Sequence, residues 1–344
     1  MLFVILAAFH QGHAQNTDGE LGYLPVRNYA PTEYSAMPQN WAIVQDKRGL
    51  MYFANNECIL EYDGVRWKKI PLPGDPNIRS LSIDSNGVIY VGAVGDFGYL
   101  SPDSTGKLSY TSLLPHVAQP DQGFEQIWTN IVTDHGVYFQ SNKKIFRWHD
   151  DTIQVWRAEM DDDSKFHLMF HVHNTLYVRQ KGVGLMKFLE DQLVLIQGGE
   201  IFTDMDIHFM TDYDGERILL NTKTQGLYLL KPTDPDYYPK DRTNPAQINE
   251  ITPFKTQVDQ FFMEHPIFSG LKLPNGNFSI GTQGGGVIVI DKEGALVRVL
   301  NKNTGIQDGI INAQYLDDRN NLWLALENGI SKVEINAPIT TFDG

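Results

Sequence analysis

The chain has 344 residues, 42% hydrophobic and 11% aromatic, enough for one large all-β core or two ordinary ones, and its 30 glycines and 17 prolines break it into many short segments. Its 28 Lys+Arg against 42 Asp+Glu give a net charge of −14, which repels phosphate backbones and excludes nucleic acid as a partner of this segment. Cys58 is the single cysteine, so no intrachain disulfide and no cysteine-based metal cluster can form, and a core of this size needs neither in an oxidising compartment.

The chain opens on an apolar run from Met1 to Phe9, too short to span a bilayer, followed by the small-residue stretch Gly12-His13-Ala14 before Gln15. This predicts a signal peptide over 1–14 and export, although no Lys or Arg precedes the run.

From residue 42 one phrase recurs: an apolar strand, an Asp-x-x-Gly turn, an aromatic strand, a second glycine and another apolar strand. The first copy carries Asp46, Gly49, Tyr52 and Phe53; the second carries Asp84, Gly87, Tyr90 and Gly98. The third has Asp134, Gly136, Tyr138 and Phe139, the fourth Asn174, Tyr177 and Gly184, and the fifth Asp212, Gly215 and Gly226. Asn275, Gly276 and Gly286 mark the sixth, and Asp318, Asn321, Trp323 and Gly329 the seventh. Turn positions 49, 87, 136, 174, 215, 276 and 321 are spaced by about 45 residues on average, the period of a four-stranded propeller blade. The segments alternate at period two, which rules out a helical solenoid.

The reading is therefore an all-β, seven-bladed propeller of four-stranded antiparallel blades over 21–344. Its blades lie near 41–70, 78–115, 126–157, 166–197, 206–252, 266–300 and 310–336, and 337–344 reads as the start of a following segment. Pro25 to Tyr29 precede the first blade and are expected to supply the outer strand of the seventh, because an open ring would leave sheet edges unpaired. Cys58 stands where other blades place the second glycine, a packing substitution rather than a redox site. Lys231 to Asn249, with four prolines, and Gln119 to Glu125 are insertions of the kind that project from a propeller face.

Catalytic signatures are missing: no Gly-x-Ser-x-Gly elbow, no Walker loop and no His-Glu-x-x-His occurs. Gly281 to Gly286 leads into a strand, so the helix N-terminus of a phosphate cradle is lacking. His167, His171 and His173 would share one face of an extended strand and could ligate a metal there. Packing beside the channel is the better account, since no matched carboxylate or cysteine accompanies them, and no metal or cofactor is assigned. Asp161-Asp162-Asp163 lacks the spacing of a calcium loop and reads as a solvated loop.

The repeat resembles the two-component regulator propeller repeat. Asn40 to Glu57, followed by Leu60 to Trp67, is particularly similar to the first blade of that group's sensor proteins, and Ile89 to Leu100 to the second; the resemblance covers 24–344. It implies the periplasmic sensory half of a receptor anchored in the inner membrane. Such propellers are usually followed by a second propeller, a triple-tyrosine immunoglobulin-like domain, one transmembrane helix and a cytoplasmic kinase or helix-turn-helix output module. Ala337 to Gly344 look like the opening strand of a next blade, so the chain is expected to be part of a longer receptor. Its implied partners are the downstream domains, a second copy in a homodimer, and a glycan or other small ligand.

The expected function is thus ligand sensing without catalysis. The mouth of the central channel is the geometric favourite for binding, since every innermost strand starts or ends there. Counting about eight residues back from each turn selects Trp41, Arg79, Trp128, Phe166 and Phe268, with His167, His208 and Asn312 close by; aromatic and amide groups there would suit a sugar. A one-residue slip in register would move each to the opposite face. Two other classes stay open: a propeller hydrolase or lyase, with carboxylates or histidines converging on the channel, and a protein-interaction scaffold with an apolar exposed face.

Overall fold

A computed structural model describes residues 22–337 apart from 103, 159–162, 224 and 233–249. The proposed leader, Asp161 and Asp162, residues 338–344 and nearly all of the proline-rich insertion lie outside the described residues. Described residues form seven four-stranded antiparallel sheets.

Strand β1 (Val26–Tyr29) leads through the short helix α1 (Pro31–Tyr34) into the first blade: β2 (Asn40–Gln45), β3 (Met51–Asn55), β4 (Ile59–Tyr62) and β5 (Trp67–Ile70). The second blade is β6 (Ile78–Ile83), β7 (Ile89–Ala93), β8 (Phe97–Pro102) and β9 (Leu108–Ser112). The third is β10 (Thr129–Thr133), β11 (Gly136–Gln140), β12 (Lys144–His149) and β13 (Thr152–Arg157). The fourth is β14 (Phe166–Val172), β15 (Thr175–Gln180), β16 (Gly184–Leu189) and β17 (Gln192–Leu195). The fifth is β18 (Met210–Asp212), β19 (Ile218–Thr222), β20 (Gly226–Lys231) and β21 (Glu250–Phe254). After α2 (Asp259–Glu264) come β22 (Ile267–Lys272), β23 (Phe278–Thr282), β24 (Val287–Ile290) and β25 (Leu296–Leu300), then β26 (Ile311–Leu316), β27 (Leu322–Leu326) and β28 (Ile330–Val333).

The seventh sheet runs β1-β28-β27-β26, with Val26 opposite Val333 and Tyr29 opposite Ile330. Its outer strand therefore comes from the opposite end of the described chain, and the ring is shut by backbone pairing. Side chains reinforce the joint: Asn28 Nδ2 donates to Gly305 O at 2.8 Å, and Ser331 Oγ to Asn28 Oδ1 at 2.6 Å. Tyr29 stacks on Trp323 with ring centroids 5.7 Å apart and meets Tyr62 and Trp67 edge-on, so aromatic rings from the last and first blades form one cluster.

Buried apolar residues fall into seven clusters, each shared by two adjacent blades. Val44, Tyr52 and Ile59 of the first blade pack with Ile78, Val91 and Leu100 of the second; Phe278, Ile280 and Ile288 of the sixth pack with Leu219 and Leu227 of the fifth. A blade is thus hydrophobic on both faces, while the outermost strands carry charge, as at Lys68 and Lys69 of β5, which discourages edge-to-edge association.

Asp-x-x-Gly works as the residue types demand. Asp46 O accepts from Gly49 N at 2.9 Å while its carboxylate takes the amides of Arg48 and Leu50; Asp84 does the same for Gly87, Asn86 and Val88. In the seventh blade Asp317, not Asp318, fills this role, accepting from the amides of Arg319 and Asn321 and from Trp323 Nε1 at 2.9 Å. The second glycine is required at Gly286, where φ is +83° and a Cβ would stand 2.1 Å from Leu300 O. Cys58 at the matching place is 2% exposed, and burial raises its thiol pKa to about 12, which suppresses the thiolate.

Tyr29 is 2% exposed in the joint, whereas Val65 is 82% exposed in a hairpin turn. Tyr29→Ala is expected to cost about 3–5 kcal/mol in chemical denaturation, and Val65→Ala less than about 0.5 kcal/mol. Equal effects would deny the joint its role.

Candidate functional site

A two-residue pattern opens each innermost strand or, in the third and fifth blades, lies just before it. The first residue is buried between blades: Asn40, Ile78, Ile127, Phe166, Ile207, Ile267 and Ile311 are all at most 1% exposed. The next residue turns the other way, toward the channel: Trp41, Arg79, Trp128, His167, His208, Phe268 and Asn312. In four blades this second residue is skipped in the register, since Asn40 and Ala42 pair with consecutive residues of β3, and the same break brackets Arg79, Phe268 and Asn312. Such a bulge bends the strand and re-aims the extra side chain.

Two triads result. Arg79 lies over the Trp41 ring at 4.3 Å and near the Trp128 ring at 5.6 Å, and the two indoles are 6.2 Å apart although they belong to the first and third blades. Arg79 Nε donates to Gln126 Oε1 at 2.9 Å and Nη1 to Asn56 Oδ1 at 3.0 Å, and Asn56 Oδ1 also accepts from Trp41 Nε1 at 2.9 Å. Burial pulls the guanidinium below its usual pKa, with Glu327 acting in the opposite sense.

In the other triad the rings of His167 and His208 meet edge-to-face at 4.9 Å, and His208 lies 5.0 Å from Phe268. His167 Nδ1 and both ring nitrogens of His208 are buried without a hydrogen-bond partner. Burial, aided by His167, lowers the His208 pKa from 6.5 to about 3; burial lowers that of His167 as well. Both imidazoles are therefore neutral near pH 7. Asn221 Oδ1 fixes this stretch by accepting from the backbone amides of His208 and Phe209 at 2.9 and 2.8 Å.

Two sequence-selected residues stand apart. Phe166 is 1% exposed and packs with Tyr138, Ile145, Met169 and Val178 between the third and fourth blades, because it occupies the inward first position of the pair. Asn312 is 8% exposed, and its Nδ2 donates to Asn40 O at 3.0 Å, tying the seventh blade to the first. Asn56 and Gln126 escape the repeat count, since both lie off the innermost strands; the signal for Gln126 is its place two residues before Trp128.

His167, His171 and His173 do not share a face. The β14 register skips Leu168, which reverses the alternation between His167 and His171, and His173 lies in the following turn with φ +49°, its Nε2 2.6 Å from Asp212 Oδ1. Among the described residues no three metal-ligating side chains converge.

A groove of about 960 Å³ opens at the other ends of the innermost strands, between the third and fourth blades, lined among others by His135, His149, His171, His173 and Arg147. Within it Arg147 is paired with Asp191, His149 with Asp150 and His173 with Asp212. The channel mouth differs in holding buried imidazole nitrogens without partners.

No family model matches the chain, and no curated protein matches it. Solved structures match its fold. The extracellular domain of a one-component system from B. thetaiotaomicron superposes with a TM-score of 0.65 at 17% identity, covering 92% of this chain and 40% of that one. The extracellular domain of a hybrid two-component system from the same organism gives 0.67 at 15%, covering 92% and 42%. The chain thus spans about two fifths of those domains. Virginiamycin B lyase from Staphylococcus aureus gives 0.66 at 13%, covering 90% and 98%. At such identities the likeness is one of fold. No helix among the described residues is long and apolar enough to cross a membrane.

The buried His208 has a pH signature. Its imidazole takes a proton near 6.5 when unfolded but only near 3 when folded, so protons favour the unfolded chain between these values and its contribution to stability falls as pH drops. His208→Phe is expected to lose less stability than the parent chain between pH 6.5 and 4. Parallel curves of unfolding free energy against pH would contradict the buried, neutral imidazole.

Proposed function

We propose that this chain is the ligand-sensing propeller of an exported, membrane-linked signal-transduction receptor of the two-component regulator propeller type, binding a small ligand at the channel mouth and catalysing no reaction itself. One observation carries the reading: six side chains from six blades gather in two triads at one end of the channel. Indoles, a phenyl ring, amides and neutral imidazoles suit the apolar faces and hydroxyls of a glycan. A ligand held there would touch most blades at once and could bias their packing, which downstream domains would read. The fold shared with extracellular domains of bacterial regulators supports the receptor role.

Catalysis has less support. His208 is too weakly basic to hold a transferred proton near neutral pH, and nearby Asp206 is paired with Arg179 at 3.0 Å. Glu327 accepts from Gln39 Nε2 at 2.5 Å. Against this stands the propeller fold shared with a lyase, so turnover is the outcome to watch.

The test is a thermal-shift screen of the chain against an oligosaccharide panel, with analysis of the sugars afterwards. A ligand at 100 times its Kd should stabilise the fold by about 2.7 kcal/mol and be recovered intact. Trp41→Ala should weaken binding by roughly 30-fold, the effect of removing a central aromatic anchor. Cleaved sugar would make the protein an enzyme, and a shift unaffected by Trp41→Ala would move the site elsewhere.

A further inference from the structure

Arg79 is the one charged member of the two triads, and its surroundings differ from those of Arg147, Arg157 and Arg179. Arg157 has Asp121 at 2.6 Å, Arg179 has Asp206 at 3.0 Å, and Arg147 has Asp191. Arg79 has only the neutral oxygens of Asn56 and Gln126, and among the described residues no carboxylate lies within ion-pair distance of it. Its Nη2 bonds to nothing among the described residues. The guanidinium packs over the Trp41 ring with Trp128 beside it and has lost part of its hydration, and among the described residues the one acid that acts on it, Glu327, stands beyond ion-pair distance.

The second triad has the complementary need. A neutral imidazole presents one donor and one acceptor, and three such nitrogens on His167 and His208 are unmatched. A carboxylate only accepts and would leave the acceptor nitrogens opposed; hydroxyls both donate and accept and would match them. Trp41, Trp128 and Phe268 add aromatic surface beside these groups, of the kind on which a sugar ring packs.

Resting on the reading of the channel mouth as the binding site, we propose that the ligand is a carboxylate-bearing sugar, with Arg79 taking the carboxylate and His167 and His208 taking ring hydroxyls. The ligand is then selected at two poles: an anion without hydroxyls satisfies only Arg79, and a neutral sugar satisfies only the imidazoles. Long-range repulsion from the net charge of −14 makes the local arginine decisive, since nothing else in the two triads attracts an anion.

The experiment titrates the full chain, by calorimetry and tryptophan fluorescence, with oligosaccharides of galacturonate, glucuronate and mannuronate. Each is compared with its carboxyl-reduced counterpart of the same linkage and length, and with acetate. At least one acidic sugar should bind roughly 10-fold or more tightly than its reduced form, as a charge-assisted contact to a guanidinium provides, and far more tightly than acetate. Arg79→Gln, which keeps an amide donor toward Asn56 and Gln126, should erase that preference with little change in the unfolding midpoint; Arg79→Lys should keep part of it. Equal affinity for acidic and reduced sugars, or a preference that survives Arg79→Gln, overturns the assignment of the carboxylate while leaving the mouth as a sugar site. Binding of no sugar in either series overturns both.

Discussion

A propeller blade is apolar on both faces, and that double-sided hydrophobicity is the constraint on which this structure depends. A single blade cannot bury itself, nor can a row of blades, whose end members would each leave a face in water. Only a closed ring gives every face a partner. Here the closure is literal: β1 pairs with β28, and Tyr29, Tyr62, Trp67 and Trp323 fill the last interface with aromatic rings. Seven interblade clusters then form one circular core.

The candidate site follows from that circularity. Because blades repeat, the second residue of each pair comes at the same place in its blade, and substitutions at this one position build a composite surface out of residues 41, 79, 128, 167, 208 and 268, while Asn312 ties the seventh blade to the first. The repeat leaves this position free: it takes indole, guanidinium, imidazole, phenyl or amide, while its neighbour at position one stays almost uniformly apolar. Buried polar groups without partners are costly, and His208 and the half-buried, unneutralised Arg79 are retained at one mouth.

The sequence displays the fold readily because its turn chemistry repeats: Asp46, Asp84 and their counterparts fix hairpins whose spacing gives the blade period, and ring closure follows from the unpaired strand before the first blade. The mouth was legible for the same reason, since counting back from a turn reaches the start of the innermost strand. The pattern is hardest to read where one residue changes the alternation. Phe166 and His167 are adjacent in the strand and face opposite ways, and the bulge at Leu168 separates His167 from His171. In the seventh blade the repeat points to Asp318, while its neighbour Asp317 holds the amides. Asn56 and Gln126 reach Arg79 from loops, where no period announces them.

Six tryptophans give a direct readout of where a ligand sits. Trp41 and Trp128 flank the channel mouth, Trp67 and Trp323 lie in the closing aromatic cluster, and Trp148 and Trp156 belong to the third blade near the opposite face. The decisive measurement is fluorine NMR of the chain labelled with 5-fluorotryptophan and titrated with a binding sugar. The account predicts that the resonances of Trp41 and Trp128, assigned by single substitution, shift while those of Trp67 and Trp323 stay in place. Movement confined to Trp148 and Trp156, with Trp41 and Trp128 unchanged, would put the ligand in the groove between the third and fourth blades and contradict the account.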